Sequence, residues 1–395
     1  MREHFDLDPS ILYLNAGTHS ICPRVITEAV VRHVREYEKN PTSNLFAIWG
    51  ALWQVQQKLA AFFGAHAEDV ILRPNITSLM NLFILGMPLS KGSEILTTDL
   101  EYGAILNICR YKAANEGLTV RSLHLPGSAQ EMLGLTSESL RNTVLQALKP
   151  ETRMLVLSHV MTGNGLVLPI REIAAETRKR GVLLVVDGAH SAGFLDLDLR
   201  KLENVDFYAA SLHKWMMGPK GTSLGWISKR HQSSLSPLLA GWTTFETPEP
   251  FQPFGGGSSF QMRFLMSACF DFAPFLALAE MIRFLEKLTP PLIHARVTAL
   301  QTRLEEQVTS LTGWPSISPP IGPLRGPLMS FEIPSKLSAM GFSFVSQLYR
   351  DSGLQVAAPM VQGRACLRLS PHIHNSDEEM DRTARLLRDF SETHS

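Results

Sequence analysis

The chain has 395 residues, of which 45% are apolar, and its Lys plus Arg and Asp plus Glu residues balance at 37 each. This length suits two domains with a large core, and the absence of net positive charge argues against a nucleic-acid partner. Its cysteines, Cys22, Cys109, Cys269 and Cys366, lie far apart without a C-x-x-C pair, so neither a zinc site nor a disulfide framework is predicted. We expect the partner to be a small molecule or a second copy of the chain.

The sequence predicts neither secretion nor a membrane span. Residues 1–8 carry acidic side chains and lack the apolar run that a signal peptide needs. The longest apolar candidate, 270–282, is interrupted by Asp271, Pro274 and Glu280. We therefore expect a cytoplasmic protein without a membrane partner.

Short apolar runs alternate with amphipathic helical windows up to about residue 230. Strands are predicted at 70–72, 94–98, 119–124, 154–158, 182–187, 207–211 and 223–227. Helices are predicted at 25–39, 49–63, 77–85, 103–116, 137–148 and 170–180. This alternation predicts an α/β fold with a mainly parallel sheet covered on both faces, whose ligands lie at the carboxyl ends of the strands.

A change in composition follows. Residues 236–259 are rich in proline and end in Phe-Gly-Gly-Gly-Ser-Ser, which indicates a long loop. Helices are then predicted at 267–288 and 291–311, followed by strand, helix, strand and helix at 329–333, 342–350, 365–369 and 377–390. We expect a large domain at 20–250 and a smaller α+β domain formed by 1–19 plus 251–395.

Two segments place ionisable side chains at the ends of predicted strands. Asp187 ends the run Leu-Leu-Val-Val, and Lys214 follows another apolar run within Ser211-Leu-His213-Lys214. A lysine amine can join the aldehyde of a pyridine cofactor as a Schiff base, and a carboxylate can hold the ring nitrogen protonated. The alternatives are a surface lysine and an aspartate that caps the next turn.

Other polar residues follow the neighbouring strands. Residues 73–78 open a helix whose free N–H groups favour an anion, although ordinary helix capping is the alternative. Tyr102 is suited to stack on a planar ring or to fill the core. Arg368, on an alternating strand, is suited to clamp a carboxylate, with a salt bridge at the rim as the alternative. His372 and His374 lack a third ligand, so no metal site is predicted.

Together these segments resemble the class V aminotransferase family of pyridoxal 5'-phosphate (PLP) enzymes, and within it the isopenicillin N epimerase-like branch. The likeness runs from about residue 5 to residue 381. It is carried by the motifs Asn15-Ala-Gly17-Thr18-His19, Asp187-Gly-Ala-His190 and Ser211-Leu-His213-Lys214. The resemblance implies the PLP-dependent fold type I, PLP as the cofactor, and a homodimer with the active site at the subunit interface.

The resemblance also implies roles for individual residues. Lys214 is expected to hold PLP covalently and to act as the base, and Asp187 is expected to contact the ring nitrogen. Tyr102 is expected to stack on the ring and is the candidate for a second acid. Further cofactor contacts are expected from Ile76, Thr77, Thr162, His190, Ser211 and His213. Substrate contacts are expected from Asn15, Gly17, Thr18, His19 and Arg368.

The chain departs from the family pattern at two points. The family often has a Gly-Thr step that binds the phosphate of the neighbouring subunit, where this chain reads Phe-Gln-Met-Arg263, and Arg263 is the candidate for that role. The loop at 356–364 lacks the cysteine of the family's desulfurases, and Cys366 lies too close to Arg368 to replace it. This argues against persulfide-forming desulfurase activity, though not against other C–S lyase chemistry.

The sequence thus predicts a PLP-dependent enzyme that acts at the α carbon of an amino acid or of a larger substrate with an amino-acid head. The leading expectation is an epimerase or racemase of the isopenicillin N epimerase type, with a C–S lyase or an aminotransferase of the same family as alternatives. An alternative of another class is a non-catalytic, PLP-binding regulatory protein. A nicotinamide dehydrogenase fits poorly, because no G-x-G-x-x-G follows the first predicted strand.

Overall fold

Alternating strands and helices build the first part of the chain, and a smaller set builds the last part. The computed structural model describes residues 1–241, 244, 259–265 and 270–394. The strands are β1 (Leu12–Tyr13), β2 (Val70–Arg73), β3 (Glu94–Thr98), β4 (Thr119–Leu123), β5 (Thr152–Ser158), β6 (Leu183–Gly188), β7 (Phe207–Ser211), β8 (Ser223–Ile227), β9 (Met329–Glu332), β10 (Leu354–Gln355), β11 (Met360–Val361) and β12 (Arg364–Leu369).

The helices cover both faces of the larger sheet and complete the C-terminal part. They are α1 (Arg24–Glu38), α2 (Pro41–Phe62), α3 (Ile76–Gly86), α4 (Gly103–Glu116), α5 (Ser137–Ala147), α6 (Ile170–Lys179), α7 (Ser259–Leu265), α8 (Ala273–Leu276), α9 (Leu278–Leu288), α10 (Pro290–Thr312), α11 (Ser335–Ala339), α12 (Phe342–Ser352) and α13 (Asp377–His394). Among the described residues, none of these helices is both long enough and apolar enough to cross a membrane.

The larger sheet is mainly parallel, as the sequence predicts. Its strand order over the described residues is β2-β8-β7-β6-β5-β3-β4, and β8 runs antiparallel to both of its neighbours. The strands β2, β3, β5, β6 and β7 therefore all point the same way, and their carboxyl ends meet at one edge. In parallel sheets this edge is where ligands bind.

Side chains alternate along β5 between two apolar cores, which confirms that both faces of the sheet are covered. Leu155 and Leu157 pack in one core, while Met154 and Val156 pack in the other. Full burial of such a side chain contributes roughly 1.5–3 kcal/mol. A sheet that is held on both faces provides a rigid support for the loops at its edge.

The C-terminal part has its own antiparallel sheet of β11, β12 and β9, and a core that includes Leu304, Phe331 and Leu387. The N-terminal segment joins this part, because β1 pairs in parallel with β10 and Asn15 bridges to Ser370. Residues 15–19 are thereby held beside the end of β12. The proposed domain boundary at 250 lies outside the described residues, so the division into two domains stays a prediction.

Two predicted helices begin more than five positions from where the sequence places their start. The helix expected at 49–63 already begins at Pro41, because the Asn40 side chain accepts a hydrogen bond from the N–H of Ser43 at 3.2 Å. The helix expected from residue 267 begins at Ala273, whose N–H donates to the Asp271 carboxylate at 3.0 Å. Residues 266–269, and most of the loop predicted at 236–259, lie outside the described residues.

Candidate active site

The strand register brings the ends of several strands to a common level. Ser158 on β5 lies opposite Asp187 on β6. On the other side of the site, Ser211 at the end of β7 lies opposite Ser223, which in turn lies opposite Arg73 at the end of β2. The segments that follow these strands therefore gather the predicted cofactor residues at one edge of the sheet.

A continuous line of polar contacts connects Lys214 to Arg368. The amine Nζ of Lys214 lies 3.3 Å from Nε2 of His190, which lies 3.1 Å from the hydroxyl of Thr162. The Arg368 guanidinium donates to that hydroxyl at 3.1 Å and to the carbonyl of Thr162 at 3.2 Å. The structure thus joins the predicted cofactor lysine, two predicted cofactor contacts and the predicted carboxylate clamp in one site.

The contacts of His190 define its tautomer. The indole N–H of Trp215 can only donate, and it donates to Nδ1 of His190 at 3.2 Å. Burial, followed by the positive charges of Lys214 and Arg368, lowers the pKa of this imidazole well below its usual value. His190 is therefore neutral with its proton on Nε2, where it faces both the Lys214 amine and the Thr162 hydroxyl. Trp215 was not predicted as a site residue, although it follows Lys214 directly.

Burial shifts the two central ionisable groups in opposite directions. It raises the pKa of the Asp187 carboxyl. A hydrogen bond from the N–H of Ala189 at 2.8 Å and the charge of Lys214 partly offset this rise. It lowers the pKa of the Lys214 amine to about 8, with Arg368 adding to the effect and Asp187 opposing it. A lysine of this kind has an appreciable neutral fraction near neutral pH, which is the form that acts as a nucleophile or a base.

Arg368 is buried between the two parts of the chain, with 6% of its surface exposed. Its guanidinium donates to the hydroxyl of Thr18 at 2.8 Å and to the side-chain oxygen of Asn15 at 3.4 Å. Its Nε is buried and has no hydrogen-bond partner among the described residues. Burial lowers the pKa of this guanidinium to about 10. Among the residues that the structure describes, no carboxylate lies at hydrogen-bond distance from Arg368, and a buried cation of this kind suits an anionic ligand.

Gly17 allows the N-terminal segment to approach Arg368. Its N–H donates to the hydroxyl of Ser370 at 3.0 Å, and a Cβ atom there would lie 3.2 Å from that oxygen and 3.5 Å from the Arg368 guanidinium. A larger residue would press on the clamp. Asn15, Gly17 and Thr18 thus surround Arg368, where the sequence predicts them.

Ser211, His213 and His19 form a second polar group beside Lys214. The hydroxyl of Ser211 lies 3.3 Å from a ring nitrogen of His213, and the rings of His213 and His19 meet edge to face at 5.3 Å. Burial lowers the pKa of His213 to about 4 and also lowers the pKa of His19. Both imidazoles are therefore neutral at pH 7. They can offer hydrogen bonds to a phosphate, but no charge.

Ile76 and Thr77 are the first residues of α3, which follows β2 at the same edge of the sheet. The side-chain oxygen of Asn75 caps the helix by accepting the N–H of Ser78 at 2.9 Å. The first N–H groups of the helix are free of intrahelical partners, so this terminus favours an anion. Ile76 and Thr77 make no direct contact with Lys214 or Asp187 among the hydrogen bonds of the described residues.

Tyr102 is exposed rather than part of the core, with 51% of its surface accessible. It precedes α4 and lines an open cleft of about 350 Å³, which Thr162 and Arg368 also line. Residues 357–362 of the C-terminal part also line this cleft. The alternative of a core aromatic is therefore wrong for Tyr102.

Arg263 lies on α7, apart from the other predicted residues. Its guanidinium donates to the carbonyl of Gln232 and lies 5.6 Å from the centre of the Phe264 ring. Its predicted role concerns the phosphate of a neighbouring subunit, and that role stays a prediction.

Glu101, the residue before Tyr102, was not predicted as a site residue. Its carboxylate accepts the N–H of Tyr102 at 3.0 Å, the N–H of Ser158 at 2.9 Å and the Ser158 hydroxyl. The one available signal was an acidic residue immediately before the start of a helix, which also fits ordinary helix-dipole compensation.

These residues fit the PLP cofactor that the sequence resemblance implies. The Lys214 amine has a lowered pKa, Asp187 offers a buried carboxylate, and Arg368 keeps a buried donor unpartnered. Lys214 would hold the aldehyde carbon, Asp187 the ring nitrogen, and Ser211 with the start of α3 the phosphate.

Comparison with known proteins identifies the family of the chain. The family model described as aminotransferase class-V matches residues 11–383. Isopenicillin N epimerase from Streptomyces clavuligerus is 30% identical over 96% of this chain and 95% of its own length. The enzyme of that name from Amycolatopsis lactamdurans is also 30% identical, over 99% and 98%.

Solved structures of the cystine C–S lyase C-DES have the same fold. One, a complex with cysteine persulfide, is 25% identical with a TM-score of 0.85 and covers 97% of this chain and 98% of that one. A second, a variant with glycine covalently linked to its PLP cofactor, is 25% identical with a TM-score of 0.86 and covers 99% of both chains. The chain therefore belongs to the class V aminotransferase family and has the PLP-dependent transferase fold type I.

Proposed function

We propose that this chain is a PLP-dependent enzyme that inverts the α carbon of an amino acid, or of a larger compound with an amino-acid head, as isopenicillin N epimerase does. The observation that carries the proposal is the polar line from Lys214 through His190 and Thr162 to Arg368, with Asp187 beside it. The two epimerases that match almost the whole chain support the epimerase type over the others.

Each residue of the site has its own role in the proposed reaction. When bound, PLP supplies an aldehyde that takes up the substrate amine and a pyridine ring that withdraws electrons from the α carbon. Asp187 keeps the ring nitrogen protonated, because a carboxylate beside it stabilises the positive charge. Arg368 binds the substrate carboxylate, and this orientation selects which bond of the α carbon faces Lys214.

Lys214 moves the proton at the α carbon. Its amine, with a pKa near 8, is partly neutral at neutral pH and can accept a proton, and it can return that proton once charged. The neutral Nε2–H of His190 lies 3.3 Å from the amine and holds it in place. Inversion also requires an acid on the other face of the α carbon, and Tyr102, which lines the cleft, is the candidate for that role.

We also propose a cytoplasmic homodimer with the site at the subunit interface. The family resemblance supports this arrangement. The position of Tyr102, half exposed on an open cleft, leaves room for a second subunit to complete the wall of the site.

The test begins with the visible spectrum of the purified protein with added PLP, before and after borohydride. A band that borohydride removes and that Lys214→Ala lacks is the expected result. The protein is then incubated in D₂O with a panel of D- and L-amino acids. An epimerase exchanges the α proton for deuterium and yields both enantiomers from either one. Lack of a cofactor band in the PLP-supplemented protein would overturn the proposal.

C–S lyase activity is the second candidate, because the C-DES structures match the chain over nearly its full length. It would release sulfide and pyruvate from cysteine-like substrates. Cys366 does not suit the persulfide chemistry of a desulfurase, because it is buried in β12 and burial raises the pKa of its thiol to about 12. An aminotransferase would require a keto-acid acceptor, and a non-catalytic regulator would leave every amino acid of the panel unchanged.

A further inference from the structure

Glu101 has a carboxyl group that the proposed mechanism does not use. It stands between the end of β3 and the start of α4, and its carboxyl group turns into the protein. One oxygen accepts the N–H of Tyr102 at 3.0 Å and the Ser158 hydroxyl, and the other accepts the N–H of Ser158 at 2.9 Å. A single carboxylate therefore connects Tyr102, the residue just before the first turn of α4, to the end of β5.

The surroundings of Glu101 bring it close to Asp187. Ser158, to which it is bonded, lies opposite Asp187 in the sheet, and the N–H of the next residue, His159, donates to the Asp187 carbonyl at 2.8 Å. Burial and then the negative charge of Asp187 raise the pKa of Glu101 to about 7, while the three donors oppose this rise. Among the described residues, the thiol of Cys109 on α4 also interacts with Glu101, whose charge adds to the rise that burial causes in the pKa of this thiol.

The ionisation state of Glu101 decides how many donors it can accept. As a carboxylate it accepts all three, and the positive end of the 14-residue helix α4 favours its negative charge. As a neutral acid it can donate its own hydrogen to the Ser158 hydroxyl, and it then accepts only the two N–H groups, more weakly because it no longer carries a charge. The side chain of Tyr102 is half exposed, so its position depends on the backbone that Glu101 holds.

We infer that Glu101 is a positioning residue: in its ionised form it fixes the backbone of Tyr102 and thereby holds the aromatic ring over the cofactor. This inference rests on the proposed function, in which Tyr102 stacks on PLP. Glu101 lines the same cleft as Tyr102, but its carboxylate is bonded to Tyr102 and Ser158, so its effect on the cofactor is expected to pass through Tyr102.

The test measures the dissociation constant of PLP for the cofactor-stripped protein by absorbance titration at pH 6 and pH 8. We expect Glu101→Gln to weaken PLP binding about tenfold at pH 8, where a charged hydrogen-bond acceptor is lost. At pH 6 the wild-type side chain is mostly the neutral acid, a weaker acceptor, so the loss in Glu101→Gln should be smaller than at pH 8. At each pH, the dissociation constant of the variant is divided by that of the wild type, which cancels the pH dependence that both proteins share.

A double-mutant cycle with Tyr102→Ala separates positioning from a general effect on the fold. We expect Glu101→Gln to add little once Tyr102 is absent, because Glu101 acts through that ring. Glu138→Gln is the matched control, since Glu138 lies on α5 with its side chain 78% exposed. Should Glu101→Gln fail to fold, Ser158→Ala provides a milder loss of the same contact, with the same dependence on Tyr102.

Two results would overturn the inference: a Glu101→Gln protein that binds PLP like the wild type at pH 8, or effects of the Glu101 and Tyr102 substitutions that simply add. Both leave the proposed function intact. A wild-type protein that binds no PLP would instead overturn the proposed function, and this inference with it.

Discussion

At the scale of single residues, the ionisation of Lys214 has a consequence for stability. Burial lowers its pKa to about 8, whereas an unfolded lysine titrates near 10.4. Between these values the unfolded chain binds more protons than the folded one, so stability must rise with pH in this window. At lower pH the folded protein has to keep a charged amine in a site that disfavours it.

We predict that Lys214→Met removes this dependence from the cofactor-free protein. The free energy of unfolding of the wild type should rise by a few kcal/mol relative to that of the variant between about pH 8 and pH 10.4. Urea titrations at several pH values measure both proteins. Lys149→Met is the control, because that side chain is 51% exposed. If the free energy of unfolding changes with pH in the same way for wild type and Lys214→Met, the prediction is wrong.

A second prediction concerns the carboxylate clamp. Arg368→Lys keeps the charge but loses the planar fork that binds a carboxylate through two hydrogen bonds. We expect KM for the amino-acid substrate to rise roughly 10- to 100-fold, in line with one or two lost charged contacts. Steady-state kinetics measure the change. Arg364→Lys, at the start of the same strand, is the matched control, and an unchanged KM in Arg368→Lys would exclude the assigned role.

Several of these residues could be predicted from the sequence and others could not. Asp187 and Lys214 stand at the ends of apolar runs, so their place at the edge of the sheet followed from the strand pattern. The contact of Trp215 with His190 depends on how a loop turns back, and no spacing rule predicts it. Glu101 was not predicted, because its contacts with Ser158 are tertiary hydrogen bonds that no local pattern indicates.

At the scale of elements, the start of α3 gives a test of phosphate binding. Free N–H groups and the Thr77 hydroxyl favour an anion there. We predict that Thr77→Val weakens PLP binding about tenfold and leaves the binding of pyridoxal, which lacks the phosphate, unchanged. Absorbance titrations with both compounds measure this.

The control for that experiment is Thr143→Val, on the exposed face of α5. Equal losses for PLP and pyridoxal in Thr77→Val would point to damage of the ring site and against a phosphate contact.

Elements with strong local signals agreed with the structure. The predicted strands at 94–98, 207–211 and 223–227 and the helix at 103–116 have the observed bounds. The short strands β1, β10 and β11 were not predicted, because two residues give no periodic pattern and their pairing is decided by distant parts of the chain. The antiparallel direction of β8 likewise depends on the short connection from β7, since a crossover to a parallel strand needs more residues.

At the scale of the whole molecule, the proposed dimer predicts complementation between subunits. Lys214 acts within its own subunit, whereas Arg263 is the candidate for contacting the partner's phosphate. The Lys214→Ala variant and the Arg263→Ala variant should each have impaired activity when assayed separately. Unfolding and refolding the two together should restore about a quarter of wild-type activity, because half of the dimers are mixed and each mixed dimer has one intact site.

Sedimentation of the wild type and of the mixture provides the control for assembly. If the protein sediments as a monomer, or if mixing restores nothing while dimers form, the role of Arg263 in the neighbouring site is excluded.

The pairing of β1 with β10 brings Gly17 to Ser370, which is 353 positions further along the chain. A nascent polypeptide therefore cannot complete its carboxylate clamp until almost all of it has left the ribosome, even though the large parallel sheet is available much earlier. The last strand of the large sheet ends at Ile227, so synthesis of the residues from there to Ser370 still separates the strands of this sheet from a complete clamp. Fragments that end before β12 should for the same reason lack catalytic activity. Adding the missing C-terminal fragment should restore it.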